Sequence, residues 1–411
     1  MVEEIFNQQL DTEVITQKYH VEVGQFQCNH TGEKICGDVF LSRRLPDEKR
    51  VLCVLSDGMG HGVRANVLAT LTATISLNFT LEHKDANAIA AIIMKALPIC
   101  SERGISYSTF TIVDIMLESD CVSILEYDNP QTIIMRGSQI YAPQWTHVKY
   151  EGDETDKRVM DLKTVSFTPQ LEDRILFCSD GIVQSGMGKG ITMGWGRNNL
   201  IKFVREIVED NADVSATDLS EMVVKQAIAN DLHAPKDDLT CGVVYFRQPR
   251  KILLCTGPPF SKDKDHEFAL LLKHFEGKKI ISGATTTEII SRELEREVID
   301  EDITDPTLPP SSKMSGVDLV TEGVLTLSKV INLLEAAAYG NKIQLGKGPA
   351  DRVCKMLLES DEIHILVGTK INESHHDPNL PVEIEIRKHL IRRLTQVLED
   401  KFMKVINIKY M

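Results

Sequence analysis

The chain has 411 residues, more than one hydrophobic core usually holds, so two domains are expected. It is 42% apolar and 26% charged, ordinary for a globular protein, and its net charge of −14 argues against the basic face that nucleic-acid binding needs. No apolar run reaches the roughly 18–20 residues of a membrane helix. The acidic start, MVEEIFNQQLDTEV, lacks the basic and apolar regions of a signal peptide, so a cytoplasmic protein without a membrane partner is expected.

Residues 20–57 alternate as paired strands do: YHVEVGQFQ, DVFLSRRL, the turn PDEK, then RVLCVLSD. Two helices follow, RANVLATLTATISLNFTLEH and DANAIAAIIMKALPICSE. Strands return in STFTIVDIMLE, CVSILEYDNP, QTIIMRG, VKYEGDE and KTVSFTPQLEDRILFCSD. Helices at NLIKFVREIVED and ATDLSEMVVKQAIAND, and a last strand, LTCGVVYFR, complete the first half. Helices segregated from runs of antiparallel-type strands suit a layered α+β domain over residues 1–247.

A boundary is expected at RQPRK, 247–251. Beyond it strands alternate with helices: KILLCTG and DHEFALLLKHFEG, KKIISG and TTTEIISRELERE, GVDLVTEG and VLTLSKVINLLEAAAYG. EIHILVGTK, the helix EIEIRKHLIRRLTQVLEDKF and KVINIKY end the chain. Such alternation predicts a separate α/β domain, 251–411, with a mainly parallel sheet. The acidic, proline-rich stretch 300–315 is expected as a loop within it. The nine cysteines show no C-x-x-C spacing, and Cys53, Cys178 and Cys255 fall in apolar strands, so reduced, buried thiols are expected.

Chemistry is concentrated in aspartates at strand ends. Asp38 opens a strand, Asp57 and Asp180 each close one with Ser-Asp-Gly, and Asp237 and Asp238 stand directly before another. Any one of them alone reads as a turn or cap residue. A carboxylate cluster at one sheet rim would repel itself unless a cation neutralised it, and oxygen-only ligands suit Mg²⁺ or Mn²⁺.

In order over the first half, CGDVF, SDGMGHGVRANVLA, ILFCSDGIV and KDDLTCGVVYF resemble the SpoIIE/RsbU-type branch of the metal-dependent, type 2C protein serine/threonine phosphatases. The resemblance covers about residues 20–247. It implies a four-layer αββα sandwich with two Mn²⁺ or Mg²⁺ ions between the sheets. Asp57 would bridge both ions, with the Gly58 carbonyl on one. Asp38, Asp180 and one of Asp237 and Asp238, with Asp237 favoured, would complete the shells. Two such ions activate a water for in-line attack on phosphorus, so Asp38, Asp57 and Asp180 are the candidate catalytic set and no Ser or Cys nucleophile is needed.

Two departures from the eukaryotic type 2C pattern concern the phosphate and the leaving group. Glu33 occupies the place of a phosphate-gripping arginine, and Met59 that of a histidine proposed as general acid. His61, two residues on, either takes that role or shapes the loop. Helices near the site are implied to act as an on/off switch. The loop 185–196, with five glycines, is expected as either a mobile flap or a long surface loop.

The resemblance implies a phosphorylated regulatory protein, of the anti-sigma-factor-antagonist kind, as substrate. A homodimer is left open. In the second half, Gly283, Thr285, Thr286 and Glu322 lie on strand-to-helix turns that suit a small anionic ligand, although helix capping accounts for the threonines equally. His375, His376 and Asp377 are metal-capable but sit in a polar loop. Two rival readings remain: a non-catalytic pseudophosphatase scaffold, and a protein whose main activity is small-molecule binding in the second half.

Overall fold

The strands Arg50–Gly58 and Leu239–Arg247 are buried along almost their whole length, which explains why each reads as an unbroken apolar run. The computed structural model describes residues 18–45, 47–82, 86–96, 108–151, 159–338, 345–369 and 380–411. The chain divides into two compact units between Gln248 and Pro249.

In the first unit, β1 (His20–Cys28), β2 (Asp38–Leu45) and β3 (Arg50–Gly58) precede helices α1 (Gly62–Leu81) and α2 (Ala86–Ala96). Seven strands follow: β4 (Ser108–Met116), β5 (Cys121–Tyr127), β6 (Ile133–Arg136), β7 (Gln139–Tyr141), β8 (Thr146–Glu151), β9 (Val159–Phe167) and β10 (Asp173–Cys178). The short helix α3 (Asp180–Gln184), then α4 (Arg197–Asp210), α5 (Ala216–Asn230) and β11 (Leu239–Arg247) complete it. One sheet has the order β1-β11-β10-β6-β7 and the other β2-β3-β4-β5-β9-β8. The strand pairs within both are antiparallel.

Alternation along β3 shows the layering. Val51, Cys53 and Leu55 join Val113, Ile124, Phe177 and Val244 in a core between the sheets. Leu52 and Val54 point the other way, packing with Ala73, Leu77, Ile93 and Met94 of α1 and α2. On the outer face of the second sheet, Leu176, Cys241 and Val243 pack against Leu200 and Val204 of α4 and Leu219 and Val223 of α5. The α+β four-layer αββα sandwich expected from the sequence is thus the observed one.

The second unit contains β12 (Lys251–Thr256), α6 (Asp265–His274), β13 (Lys278–Ser282), α7 (Ala284–Leu294), β14 (Val298–Asp300), β15 (Ser312–Met314) and β16 (Val317–Thr321). Then come α8 (Val324–Ala338), α9 (Pro349–Glu359), β17 (Glu362–Val367), α10 (Leu380–Phe402) and β18 (Val405–Tyr410). The strand order is β14-β15-β16-β13-β12-β17-β18, parallel from β16 to β18. Helices α6 and α7 cover one face and α8, α9 and α10 the other. The separate, mainly parallel α/β unit is as expected.

Besides the short β7, β14 and α3, which the sequence reading lacks, two elements differ from expectation. The stretch 300–315 carries β15, which pairs antiparallel with β14 at the sheet edge; three-residue strands are too short to show a period. Helix α9 is an addition to the expected elements, although it bears local signals. Pro349 lies in its first turn and the Asp351 carboxylate accepts the Gly348 N–H at 3.1 Å. Among the described residues no helix is long and apolar enough to cross a membrane.

Candidate metal-binding carboxylate site

The two sheets bring the sequence-distant aspartates to one rim. Asp38 at the start of β2 and Asp57 at the end of β3 are direct partners across the ladder. Asp180 opens α3 immediately after β10, and Asp237 and Asp238 immediately precede β11. Since β10 and β11 pair with Cys178 opposite Cys241, their adjoining ends lie together. The Ser179 N–H donates to the Thr240 carbonyl at 3.0 Å and the Thr240 N–H to the Ser179 hydroxyl at 3.0 Å, fixing both connections.

Gly58 is required by packing. A first side-chain carbon there would stand 2.1 Å from the Ala65 carbonyl oxygen, so only glycine lets the strand end approach α1 this closely. The Ser108 hydroxyl donates to the Asp57 carbonyl at 2.8 Å, holding the same corner from β4.

The cluster carries more negative charge than its surroundings neutralise. Asp38 is 1% exposed, and neither of its carboxylate oxygens has a hydrogen-bond partner. Burial pushes its pKa up to about 7, against the opposing pull of the Ser179 and Thr240 hydroxyls. Burial and then the Asp38, Asp180 and Asp237 charges hold Asp57 well above the usual carboxylate range. Asp57 and Asp180 lie close enough to act on each other, and the Asp180 carboxylate helps to keep Asp57 raised. Asp180, also raised by burial, accepts a hydrogen bond from Gln184 at 2.7 Å. Asp237 is pushed up to about 6 by burial and by Asp180.

Asp237 and Asp238 differ in their neighbours. The Asp237 charge acts on Asp57, whereas Asp238 is the first charge acting on Asp38. The Asp238 Oδ1 accepts the His30 N–H at 2.9 Å, and its Oδ2 is buried without a partner. Among the described residues no three His, Cys, Asp or Glu side chains converge on one ion position. The arrangement is therefore a carboxylate cluster short of a closed shell. Its partnerless buried oxygens and mutually raised carboxylates fit the oxygen-only chemistry of Mg²⁺ or Mn²⁺, which would compete with protons for them and draw the ligands together.

His61 lies beside this rim, not in it. Its Nδ1 is 2.7 Å from the Glu33 carboxylate, and its ring stacks on His30 with centroids 4.5 Å apart and planes at 11°. His30, absent from the residues that the sequence singles out, is the link between the pair and the cluster, through its bond to Asp238. Its one local signal is a place in the polar turn after β1.

The glycine-rich loop 185–196 is tied down at several points. Gly186 N–H donates to the Asp231 carboxylate at 2.7 Å, Lys189 Nζ to the Asp231 carbonyl at 2.6 Å, and Trp195 N–H to the Ser185 carbonyl at 2.8 Å. Trp195 is buried beside Phe203. These ties favour a fixed surface loop over a mobile flap.

In the second unit, β12, β13 and β16 are adjacent, so the three strand-to-helix turns do share one edge. One of them is already satisfied from within. The Glu322 carboxylate accepts the Leu325 N–H at 3.1 Å at the start of α8. Thr286 is buried, and the Thr287 hydroxyl donates to the Gly283 carbonyl at 2.9 Å. Gly283 and the exposed Thr285 thus flank a helix start with no side-chain cap. His375, His376 and Asp377 lie outside the described residues. The eight described cysteines are free, five of them buried in strands or helices of the cores.

Among known protein families, residues 47–247 match that of stage II sporulation protein E (SpoIIE). Phosphoserine phosphatase RsbX of Bacillus subtilis is 29% identical over 72 residues, 18% of this chain and 35% of that protein. The chain thus matches about a third of that relative's length. Among solved structures, the phosphatase domain with a regulatory fragment of SpoIIE from Bacillus subtilis is 21% identical, covering 56% of this chain and 64% of the other at a TM-score of 0.44. RsbX in complex with magnesium is 18% identical, covering 55% of this chain and 96% of that one at a TM-score of 0.38.

Proposed function

Because residues 47–247 belong to the SpoIIE branch of the type 2C phosphatases, we propose that this chain is a divalent-metal-dependent protein serine/threonine phosphatase. Its substrate class is a phosphorylated regulatory protein, of the anti-sigma-factor-antagonist kind that the sequence motifs imply. The observation that carries this reading is the buried, partnerless carboxylate of Asp38 facing Asp57 across the ladder, with Asp180 and Asp237 close enough to raise Asp57 further.

Asp38, Asp57, Asp180 and Asp237, with the Gly58 carbonyl, are the residues that would hold two Mn²⁺ or Mg²⁺ ions. Asp237 is preferred over Asp238 because its charge bears on Asp57, while Asp238 is engaged by His30. Such ions, when bound, supply an activated water and neutralise phosphoryl oxygens. Asp57, acted on by both Asp38 and Asp180, would be the ligand shared between the two ions. Asp238 and His30 brace the wall on the Asp38 side.

His61 is the group placed to handle a proton at the leaving serine oxygen. The Glu33 carboxylate, 2.7 Å from its Nδ1, orients the ring and leaves Nε2 on the opposite side. The test is hydrolysis of p-nitrophenyl phosphate and of a phosphoserine protein, with Mn²⁺ or Mg²⁺ added and then chelated. Activity that needs no divalent ion would remove this reading. The second unit, 249–411, lacks any Ser-Asp-Gly strand end and is proposed to regulate the first.

A further inference from the structure

The five parallel strands of the second unit take the spatial order β16-β13-β12-β17-β18, third-second-first-fourth-fifth along the chain. Successive strands are laid to one side of β12 and then to the other. The direction of connection therefore reverses between β12 and β17, leaving a crevice at their C-terminal ends. In open α/β sheets that crevice is where ligands bind. Here that position is filled by the chain itself: a carbon added to Gly368 would stand 2.1 Å from the Pro258 carbonyl oxygen, and one added to Gly257 2.6 Å from the Arg387 guanidinium of α10.

The backbone cradle common at such a position is disabled. Pro258 and Pro259 follow Gly257 in the first strand-to-helix turn and offer no N–H. The next-but-one turn is closed to anions by its own carboxylate, Glu322. Positive charge is supplied instead by α10. Beyond Thr369, between α10 and β18, lies a cavity of about 560 Å³ lined by Lys388, Arg392, Thr395, Gln396, Glu399 and Tyr410, among others. This volume falls in the roughly 300–1,000 Å³ range of small-molecule sites.

The lining is ordered along the helix. Lys388 and Arg392, one turn apart and both exposed, are paired with no carboxylate among the described residues. Thr395 Oγ1 is shielded from solvent and has no hydrogen-bond partner. Glu399 is the only acid of the cavity lining among the described residues, and stands about 16 Å along the axis from Lys388. Ile408 and the Tyr410 ring, 52% exposed, form the facing wall on the edge strand.

We propose that this cavity binds a nucleotide. The phosphate lies at Lys388 and Arg392, the ribose hydroxyls at Glu399, and the base against Tyr410. Two cations paired with no carboxylate among the described residues, at one end, suit a phosphate monoester. A carboxylate at the other end accepts hydrogen bonds from a ribose diol. An exposed aromatic face offers stacking that a sugar phosphate alone does not use.

The experiment is titration calorimetry on the full-length chain with EDTA present, so that no divalent ion holds phosphate at the first unit. The probes are AMP, ribose 5-phosphate and inorganic phosphate. AMP is expected to bind saturably and at least about tenfold more tightly than ribose 5-phosphate. Arg392→Ala and Lys388→Ala, at exposed helix positions, are each expected to weaken AMP binding about tenfold or more with unchanged melting temperature. Tyr410→Phe should retain AMP binding and Tyr410→Ala should lose it. No saturable AMP binding below about 1 mM would overturn the proposal. So would AMP affinity indifferent to Arg392→Ala and Lys388→Ala, or ribose 5-phosphate binding as tightly as AMP.

Discussion

The Nδ1 of His61 stands 2.7 Å from the carboxylate of Glu33, the residue found where the eukaryotic pattern has a phosphate-gripping arginine. An acid in that place cannot hold a phosphate, but it can orient an imidazole. The pair sets an oriented imidazole where that pattern has a cation, and His61 is 54% exposed.

His61→Ala should therefore discriminate between substrates by leaving group. A serine oxygen must be protonated as it leaves, whereas p-nitrophenolate need not be. The kcat on a phosphoserine protein should fall roughly 10²-fold, within the usual range for a general acid, with p-nitrophenyl phosphate changed only a few-fold. Equal losses on both substrates would mean that His61 only shapes the loop. Glu33→Gln should show a smaller effect of the same kind.

Asp57→Asn and Asp180→Asn should each nearly abolish metal-dependent hydrolysis. They should also stabilise the metal-free protein, since each removes a buried charge that Asp38 or its neighbours repel. Activity and the thermal midpoint measured on the same samples check both halves. Residual activity within a few-fold of the parent would contradict the assignment.

Without divalent ions, stability should fall as pH rises from about 4 to about 7. Folded-state pKa values of about 7 for Asp38 and about 6 for Asp237 lie above the ordinary 3.8, so the native state holds protons that the unfolded chain has released. That stabilisation is complete below the unfolded pKa and is lost on passing the folded one. Glu126, buried beside Thr132 and pushed up to about 7, adds to the same window; Glu126→Gln removes its share. Thermal melts in EDTA across this range test the sign. Added Mn²⁺ should flatten the slope above pH 7.

Gly58→Ala should destabilise the first unit and weaken divalent-ion binding together, because its added carbon has no room against Ala65. Leu55→Ala, three residues earlier in the inter-sheet core, should cost stability alone, about 2–5 kcal/mol. Calorimetric ion affinity set beside urea midpoints separates the two.

Much of this is legible in the sequence because β3 and β10 announce themselves twice over. Each is an apolar run ending in Ser-Asp-Gly, and a strand buried on both faces must end somewhere polar. The pairing of Asp38 with Asp57 follows from a hairpin. His30 is not legible, since its role depends on a backbone N–H meeting Asp238 some two hundred residues away, and nothing local encodes that. The anchoring of the 185–196 loop is hidden likewise, because its ties run to Asp231. In the second unit, Pro349 and Asp351 mark the start of α9, but a helix after an unpatterned stretch is hard to read from two residues. The cavity beside α10 depends on the strand order, which no local pattern gives.

The most direct test is calorimetric titration of the full-length chain with Mn²⁺, paired with hydrolysis of a phosphoserine protein on the same sample. A two-metal centre predicts two bound ions per first unit, proton release as the Asp57–Asp180 pair ionises, and activity that rises with occupancy. Loss of both ions and of activity together in Asp57→Asn completes the expected result. Undiminished hydrolysis without bound ions, or ion binding indifferent to Asp57, would contradict it.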